Sequence, residues 1–238
     1  RLFRQKTKTK GINRQEAFDL KYLKLDEPEI IQYTDNLLVN NSCFFRQYVL
    51  GEDSPQIRAV SKIIGKALQQ PFFTEMRTNQ QLGYIVWSYT NNLDETHYLN
   101  FLIQSGVYPA DELNRRADEF IMSSSEILNS MDSEIFQQLV DSVIEELEKK
   151  PMSIAERARK LKTYIFEYDA DYLRDQDTIE SLRTINKETV ANLIDSTVSP
   201  KSRRAVNVLT FAENHENLTK VKSSFSNLDT WKASRVYE

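Results

Sequence analysis

The sequence predicts an α+β fold, with a mostly antiparallel sheet and helices packed on one of its faces. Segments in which apolar and polar residues alternate, as in strands, occur near the start, in the middle and near the end of the chain. Segments with apolar residues at helical spacing lie between them. The resulting order of strand, helix, hairpin, several helices and strand differs from the regular strand–helix alternation of a doubly wound fold. With 238 residues, 40% of them hydrophobic, the chain can bury a sizeable core.

The first third of the chain predicts two strands and one long helix. Residues 29–35 could form an edge strand, and the aromatic-rich residues 43–50 indicate a second strand. Ser54 is a candidate helix N-cap, with Pro55 at the first helical position. Apolar residues at helical spacing follow, and we expect Pro71 to kink or break this helix.

A β-hairpin is predicted in the middle of the chain. Residues 84–89 and 98–105 are rich in aromatic and aliphatic residues. Asn91, Asn92 and Asp94 lie between these two runs and indicate a turn. Two such runs around a short polar segment are typical of antiparallel strands joined by a turn.

Four further helices and a last strand are predicted in the second half. Each helical segment begins with a residue suited to an N-cap, namely Asp111, Asp132 or Ser133, Ser153, and Asn186. The first of these helices is expected to run through the serine triplet 123–125. Residues 204–211 alternate and indicate the late strand.

We predict a division into a leader or linker from a preceding module over residues 1–22, an α+β module over 23–213, and an irregular C-terminal tail over 214–238. Because the chain begins with Arg rather than Met, we expect it to be a piece of a longer protein. The net charge of −4 gives no long-range reason to expect nucleic acid. We interpret the basic residues of the leader as a solvated segment rather than a nucleic-acid arm; they are Arg1, Arg4, Lys6, Lys8 and Lys10.

Common catalytic and metal-binding motifs are absent from the sequence. The two histidines, His97 and His215, are too far apart to form H-x-x-E-H or H-E-x-x-H, so we expect neither a catalytic nor a structural zinc site. We expect a surface or packing role for His97 and an exposed position for His215. The single cysteine, Cys43, excludes an intramolecular disulfide and is expected to pack inertly in a strand. No apolar run approaches the roughly 20 residues of a membrane span.

The segment 71–89 combines residue types that could form a binding site. Arg77 is predicted at the end of a helix and Tyr84 at the start of a strand, so that both lie near one end of the helix–sheet layer. Gly83 allows a tight turn between the two elements. A purely local interpretation is also available, in which Arg77 offsets the negative end of the helix and Tyr84 is half-buried in the sheet.

Residues 73–86, FTEMRTNQQLGYIV, resemble a signature of the insulinase/pitrilysin-type zinc metallopeptidases, R-T-x-x-Q-L-G-Y-x-V. The matching positions are Arg77, Thr78, Gln81, Leu82, Gly83, Tyr84 and Val86. Residues 101–121 are similar to the strand, loop and helix that follow this signature in the family. The resemblance covers about residues 23–211.

The resemblance implies a role in peptide hydrolysis that this chain could not perform alone. In this family four related α+β modules enclose a chamber, and zinc is held by H-x-x-E-H in the first module. The last module keeps the fold without the metal, which fits a chain with no catalytic residue, no metal ligand and no cofactor of its own. The equivalents of Arg77 and Tyr84 then face the zinc and hold the peptide substrate, while Gly83 is structural. Gln81 could hydrogen-bond in the same region.

The implied partners are therefore peptide substrates and the N-terminal catalytic half, with zinc bound in that half. An alternative is a structural or assembly subunit with the same fold and no role in proteolysis, as occurs in respiratory complexes and processing peptidases. A third interpretation is an unrelated enzyme that uses carboxylates, but the sequence shows no arrangement of residues that fits such an active site. Family members occur in cytosol, periplasm and organelles.

Overall fold

The computed structural model describes residues 23, 25 and 27–237, which are organised around a five-stranded mixed sheet. The strands are β1 (Glu29–Asn36), β2 (Ser42–Glu52), β3 (Ile85–Leu93), β4 (Thr96–Ser105) and β5 (Arg204–Phe211). Their order is β1-β5-β2-β4-β3. Strands β1 and β5 pair in parallel and the other neighbours pair antiparallel. The predicted α+β class with a mostly antiparallel sheet is confirmed.

Eight α-helices and one π-helical segment complete the described part of the chain. They are α1 (Pro55–Phe73), the π-helical segment (Thr74–Asn79), α2 (Ala110–Met122), α3 (Ser124–Ser130), α4 (Ser133–Glu148), α5 (Ile154–Glu167), α6 (Arg174–Thr184), α7 (Lys187–Val198) and α8 (Leu228–Ala233). None of these helices is long and apolar enough to cross a membrane.

The core lies between helix α1 and one face of the sheet. Ile63, Ile64 and Leu68 of α1 are fully buried and belong to the same apolar cluster as side chains of β2 and β4. Phe72 near the end of α1 makes an edge contact with Phe101 of β4, with ring centroids 5.0 Å apart. Such aromatic pairs add to the free energy of burial, so the end of α1 is fixed against the sheet.

Most of the predicted helix starts are confirmed by their capping hydrogen bonds. The side chain of Ser54 accepts the Ile57 N–H at the start of α1, and Pro55 takes the first helical position. Asp132, Ser153 and Asn186 cap α4, α5 and α7 in the same way. Each side chain satisfies an N–H that has no partner within its own helix.

Two predictions about the helix after β4 are wrong. Asp111 is not the N-cap, because α2 begins at Ala110 after Pro109, and the Asp111 carboxylate instead accepts the N–H and hydroxyl of Thr219. The helix also does not continue through the serine triplet. It ends at Met122. The hydroxyl of the following Ser123 donates to the Phe120 carbonyl and competes with the helical pattern, and α3 begins at Ser124.

Helix α1 continues through Pro71, where we expected a kink or break. The missing N–H of proline is accommodated two residues before the helix ends. The helix then widens to the π-helical segment, at whose end the Gln80 N–H donates to the Glu75 carbonyl, five residues earlier, at 3.0 Å. Where the sequence suggested two successive helices, the structure has an α-helix that passes into a π-helical segment.

The predicted hairpin is confirmed, although its turn is shorter than expected. Strand β3 extends through Asn91 and Asn92 to Leu93, which pairs with Thr96. The turn consists of two residues, and Asp94 at its first position has a φ of 52°. An aspartate tolerates this left-handed conformation better than most residues.

The chain after β5 packs along β1, where an irregular tail was predicted. The Ser223 and Ser224 hydroxyls accept N–H groups from the outer edge of β1, and Phe225 stacks between Tyr33 and Trp231. The segment also contains helix α8. The division at residues 22 and 213 stays a prediction, and the leader with its basic residues lies outside the described residues.

His215 is half-buried, so its predicted exposure is wrong. Its Nδ1 lies 2.8 Å from the hydroxyl of Ser42, which also accepts the Ala212 N–H. The chain leaving β5 therefore folds back over the start of β2. Cys43 is half-buried in β2, and burial raises the pKa of its thiol, which fits the inert packing role expected for it.

A cluster of charged side chains around Asp53 joins the connection after β2 to three elements, α1, β4 and α6. Arg174 of α6 donates to both carboxylate oxygens at 2.8 and 2.6 Å. Arg58 of α1 donates from Nε at 2.9 Å, and Nε2 of His97 in β4 lies 2.7 Å away. His97 is buried in this cluster, so its packing role includes a hydrogen bond that the sequence did not indicate.

The cluster keeps Asp53 ionised and His97 neutral at pH 7. Burial would raise the pKa of Asp53, but the hydrogen bonds from Arg58, Arg174 and His97 outweigh burial and keep this pKa below its usual value of 3.8. Burial lowers the pKa of His97 from 6.5; the hydrogen bond and charge of Asp53 oppose this shift, and the charges of Arg174 and Arg58 add to it. His97 is therefore neutral at pH 7 and donates to the carboxylate.

We expect Asp53→Asn to lower the free energy of unfolding at pH 7 by about 2–3 kcal/mol, because it leaves two largely buried arginines without their anion. Folding lowers the pKa of Asp53, so its contribution is complete above about pH 4 and is lost as the pH falls through the folded-state value. Urea unfolding of both proteins from pH 7 down to about pH 3 should show the difference shrinking with acidification.

Asp171→Asn is the matched control for this prediction. Its carboxylate is half-exposed and lies 3.7 Å from the same Arg58, so we expect a loss below about 1 kcal/mol. Equal losses in the two variants, or a difference that does not depend on pH, would contradict the assignment of Asp53 as the centre of the cluster.

Candidate functional site

The candidate site lies where the π-helical segment passes into β3. Glu75 fixes the end of the segment, since its carboxylate accepts the side-chain amides of Asn79 at 2.7 Å and Gln80 at 2.9 Å. The hydrogen bonds from Gln80 and Asn79 lower the pKa of Glu75. π-Helical segments are rare and occur frequently at functional sites.

Two buried side chains anchor the connection on either side of Arg77. Met76 and Leu82 are both fully buried, and the Leu82 N–H donates to the Met76 carbonyl at 2.8 Å. Gln81 between them is exposed and has a φ of 53°. This left-handed residue reverses the chain, so the tight turn expected at Gly83 is made two positions earlier.

Gly83 is required by a close approach and not by its backbone conformation. No described glycine has a positive φ, but a Cβ atom at Gly83 would lie 2.0 Å from the carbonyl oxygen of Gln104 in β4. Any side chain there would push the connection away from the sheet. The structural role proposed for Gly83 therefore has a different physical cause from the one the sequence suggested.

The structure brings the two predicted binding residues, Arg77 and Tyr84, into direct contact. Arg77 Nη1 donates to the main-chain carbonyl of Tyr84 at 2.8 Å. The guanidinium carbon lies 4.8 Å from the centroid of the Tyr84 ring and 5.1 Å from that of Phe73. Arg77 is thus held between two aromatic rings by cation–π contacts, and it fixes the start of β3.

Both side chains retain unused hydrogen-bonding groups, with Tyr84 exposed and Arg77 half-buried. Tyr84 is 80% exposed, which differs from the half-buried position of the local interpretation. Within residues 27–237, the Tyr84 hydroxyl has no hydrogen-bond partner, and Arg77 makes no bond besides the one to Tyr84. The pair therefore offers a phenol and several guanidinium N–H groups to an approaching ligand.

Three residues that support the site were not singled out from the sequence. Phe73 stacks on Arg77, Glu75 fixes the end of the π-helical segment, and Gln104 receives Gly83. Phe73 and Arg77 are four positions apart, a spacing that brings side chains together on a helix. The sequence alone could therefore have indicated their contact. The contact with Gln104 depends on tertiary structure and has no local signal.

The described residues contain no group of three His, Cys, Asp or Glu side chains that could hold a metal ion. The site at Arg77 and Tyr84 is cationic and donates hydrogen bonds, so it suits carbonyl or carboxylate oxygens.

The chain resembles known peptidases in sequence. Residues 63–162 match the family described as PQQ synthase PqqF-like, C-terminal lobe domain 4. A nardilysin-like protein of Arabidopsis thaliana is 29% identical over 156 residues, which cover 63% of this chain and 15% of that protein. Human insulin-degrading enzyme is 26% identical over 153 residues, covering 64% of this chain and 15% of the enzyme. The chain thus spans about 15% of the length of these relatives.

The fold is shared with a solved relative. The crystal structure of pitrilysin matches 99% of this chain and 25% of its own chain, with a TM-score of 0.79 and 18% identity. Together with the sequence matches, this confirms the predicted resemblance. The chain is similar in sequence to the C-terminal lobe domain 4 of the PqqF-like family and to insulin-degrading enzyme, and it shares its fold with pitrilysin.

We expect Gly83→Ala to lower the free energy of unfolding by about 2–3 kcal/mol, because the new methyl group would overlap the Gln104 carbonyl. Gly106→Ala is the control, since its Cβ would meet its nearest neighbour, the Asn41 side chain, at 3.3 Å. We expect the control to cost less than about 1 kcal/mol in thermal or urea unfolding. Equal stability of Gly83→Ala and the unsubstituted chain would contradict the close approach.

Proposed function

We propose that this chain is the non-catalytic, substrate-binding module of an insulinase-type zinc metalloendopeptidase. In this proposal it closes the proteolytic chamber and holds the peptide opposite the zinc site of the catalytic half. The observation that carries the proposal is the Arg77–Tyr84 pair, in which an exposed tyrosine contacts a half-buried arginine and both keep unused hydrogen-bond donors.

The fixed geometry of the pair supports a role in binding. Arg77 is held by Phe73, by the Tyr84 ring and by the Tyr84 carbonyl, so it loses little conformational entropy when a ligand binds. If Arg77 served only to pack against its neighbours, the exposed hydroxyl of Tyr84 beside it would have no purpose. Preorganised donors of this kind stabilise oxygen atoms that gain negative charge during a reaction.

The chemistry of the two side chains fits a peptide backbone. The guanidinium can donate to main-chain carbonyls whatever the substrate side chains are, and the Tyr84 hydroxyl can donate one further hydrogen bond. Zinc in the catalytic half supplies the polarisation of the scissile carbonyl when it is bound there. The residues of this chain would orient the peptide and help to stabilise the oxygen that becomes negative.

We expect Tyr84→Phe to lower kcat on the order of 100-fold with a smaller effect on KM, because the hydroxyl acts mainly in the transition state. The measurement is cleavage of a quenched fluorogenic peptide by this chain combined with an N-terminal half that carries H-x-x-E-H. Arg77→Ala should also lower kcat/KM strongly. The chain alone should show no cleavage.

Tyr172→Phe and Arg159→Ala are matched controls, since both residues are exposed, Tyr172 in the turn before α6 and Arg159 on α5. Both should leave kcat and KM within about twofold. Cleavage by the chain alone would contradict a non-catalytic module. A folded, associated mixture whose turnover is unaffected by Tyr84→Phe and Arg77→Ala would support the structural-subunit alternative instead.

A further inference from the structure

A small cavity lies between helices α1 and α4, and neither Arg77 nor Tyr84 lines it. Its volume is about 210 Å³. This is small for a drug-sized ligand, but it is enough for a single amino-acid residue. The side chains that matter for its chemistry are Lys62 and Lys66 of α1, Ser88 of β3, and Val143, Glu146 and Leu147 of α4.

Ser88 provides evidence that this cavity takes a ligand. The residue is 2% exposed, and its hydroxyl has no hydrogen-bond partner among the described residues. A buried polar group without a partner is costly, so native structures rarely contain one unless a water molecule, an ion or a ligand completes it. The hydroxyl is therefore a donor in the cavity wall that no group of the described chain uses.

Two lysines four positions apart on α1 bring positive charge to the cavity. Lys66 Nζ lies 3.0 Å from Glu146 Oε2 and 3.5 Å from Ser142 Oγ, which leaves one of its three N–H donors without a partner. Lys62 is exposed and makes no side-chain hydrogen bond or ion pair within residues 27–237. Because residues four apart are neighbours on a helix, both ammonium groups can reach one ligand.

Glu146 limits the kind of anion that suits the cavity. The hydrogen bond from Lys66 lowers the pKa of Glu146; partial burial opposes this shift, and the charges of Lys66, Lys62 and Lys149 add to it. Glu146 is therefore ionised at pH 7. The charged residues that line the cavity are two lysines and this glutamate, so one positive charge is left over. That balance suits a monoanion, whereas Glu146 would repel the second charge of a phosphate.

An α-carboxylate beside an apolar side chain matches these groups. Its two oxygens can accept hydrogen bonds from the Ser88 hydroxyl and from the ammonium groups of Lys62 and Lys66. Charge-assisted hydrogen bonds of this kind are stronger than those between neutral groups. Val143 and Leu147 line the cavity on the side of α4 and offer apolar contacts to the ligand's side chain.

We propose that the cavity between α1 and α4 binds the α-carboxylate of an amino acid with an apolar side chain. The carboxylate can belong to a free amino acid or to the C-terminal residue of a peptide, and the two sources share the same chemistry. The site itself is argued from the residues of this chain. Only the peptide source rests on the proposed function.

The test is a titration of this chain with three probes, followed through the NMR signals of the Val143 and Leu147 methyl groups. N-acetyl-L-valine carries the carboxylate, N-acetyl-L-valine amide lacks it, and L-valine adds a free ammonium group. We expect N-acetyl-L-valine to bind with a Kd on the order of 1 mM, which is what so few atoms allow. The amide should bind at least about tenfold more weakly, because it lacks the charge.

Three substitutions test the individual donors. Ser88→Ala, Lys62→Ala and Lys66→Ala should each weaken binding of N-acetyl-L-valine by at least about fivefold. Ser88→Ala should not lower the melting temperature of the chain without ligand, because its hydroxyl has no partner to lose. The control is Lys201→Ala, at an exposed position in the turn before β5, which should leave the Kd within about twofold.

The relative affinities of the probes decide the source of the carboxylate. Tighter binding of L-valine would assign the site to free amino acids, and equal or tighter binding of N-acetyl-L-valine would assign it to C-terminal residues. Equal binding of the acid and its amide, or no methyl shift at about 20 mM probe, would overturn the inference. So would binding that Ser88→Ala leaves unchanged, or inorganic phosphate that binds as tightly as N-acetyl-L-valine.

The outcome is independent of the proposed function. Binding is measured on this chain alone, so its failure would leave the role of Arg77 and Tyr84 in cleavage standing. Arg77→Ala should lower cleavage by the assembled protein without changing the Kd of N-acetyl-L-valine. Binding at the cavity with no effect of Arg77→Ala on cleavage would support the inference and contradict the proposed function.

Discussion

The burial of one face of helix α1 against the sheet is the interaction on which the rest of the structure depends. Ile63, Ile64 and Leu68 are fully removed from water, and each contributes roughly 1.5–3 kcal/mol relative to exposure. This burial fixes the axis of α1 along β3 and β4. The position of its last turn, and of the π-helical segment that follows, is then determined by packing.

The Arg77–Tyr84 pair lies at one end of this packed unit. Met76 and Leu82 are buried on either side of Arg77, and Gly83 lies directly against the Gln104 carbonyl. Arg77 and Tyr84 are therefore presented to solvent by residues that cannot move independently. A rigid scaffold with exposed donors suits a module that binds a substrate for chemistry performed elsewhere, because preorganisation lowers the entropic cost of binding.

The sequence predicted the elements that have strong local signals. The capped starts of α4 and α7 and the alternating strand β5 agree with the structure, because hydrogen bonds to N-cap side chains and period-two burial are local properties. Helix α6 was missed, since it is polar and its buried face includes Arg174 and Thr178. The position of Arg174 depends on its ion pair with Asp53, which is distant in sequence.

The sequence indicated which residues form the candidate site, but it indicated little of their geometry. The string from Arg77 to Tyr84 identified the two side chains, and the structure places them in contact. The reversal at Gln81 and the approach of Gly83 to Gln104 depend on where the sheet lies, which no local pattern specifies. The exposure of Tyr84 also follows from tertiary packing, since an aromatic residue opening a strand is more often partly buried.

The most direct test is a structure of this chain assembled with a catalytic half whose H-x-x-E-H glutamate is replaced by glutamine, with an uncleaved peptide bound. We predict that the Tyr84 hydroxyl and the Arg77 guanidinium lie about 3 Å from main-chain oxygens of the peptide next to the scissile bond. A bound peptide that contacts the catalytic half alone, with Arg77 and Tyr84 still facing solvent, would contradict the account.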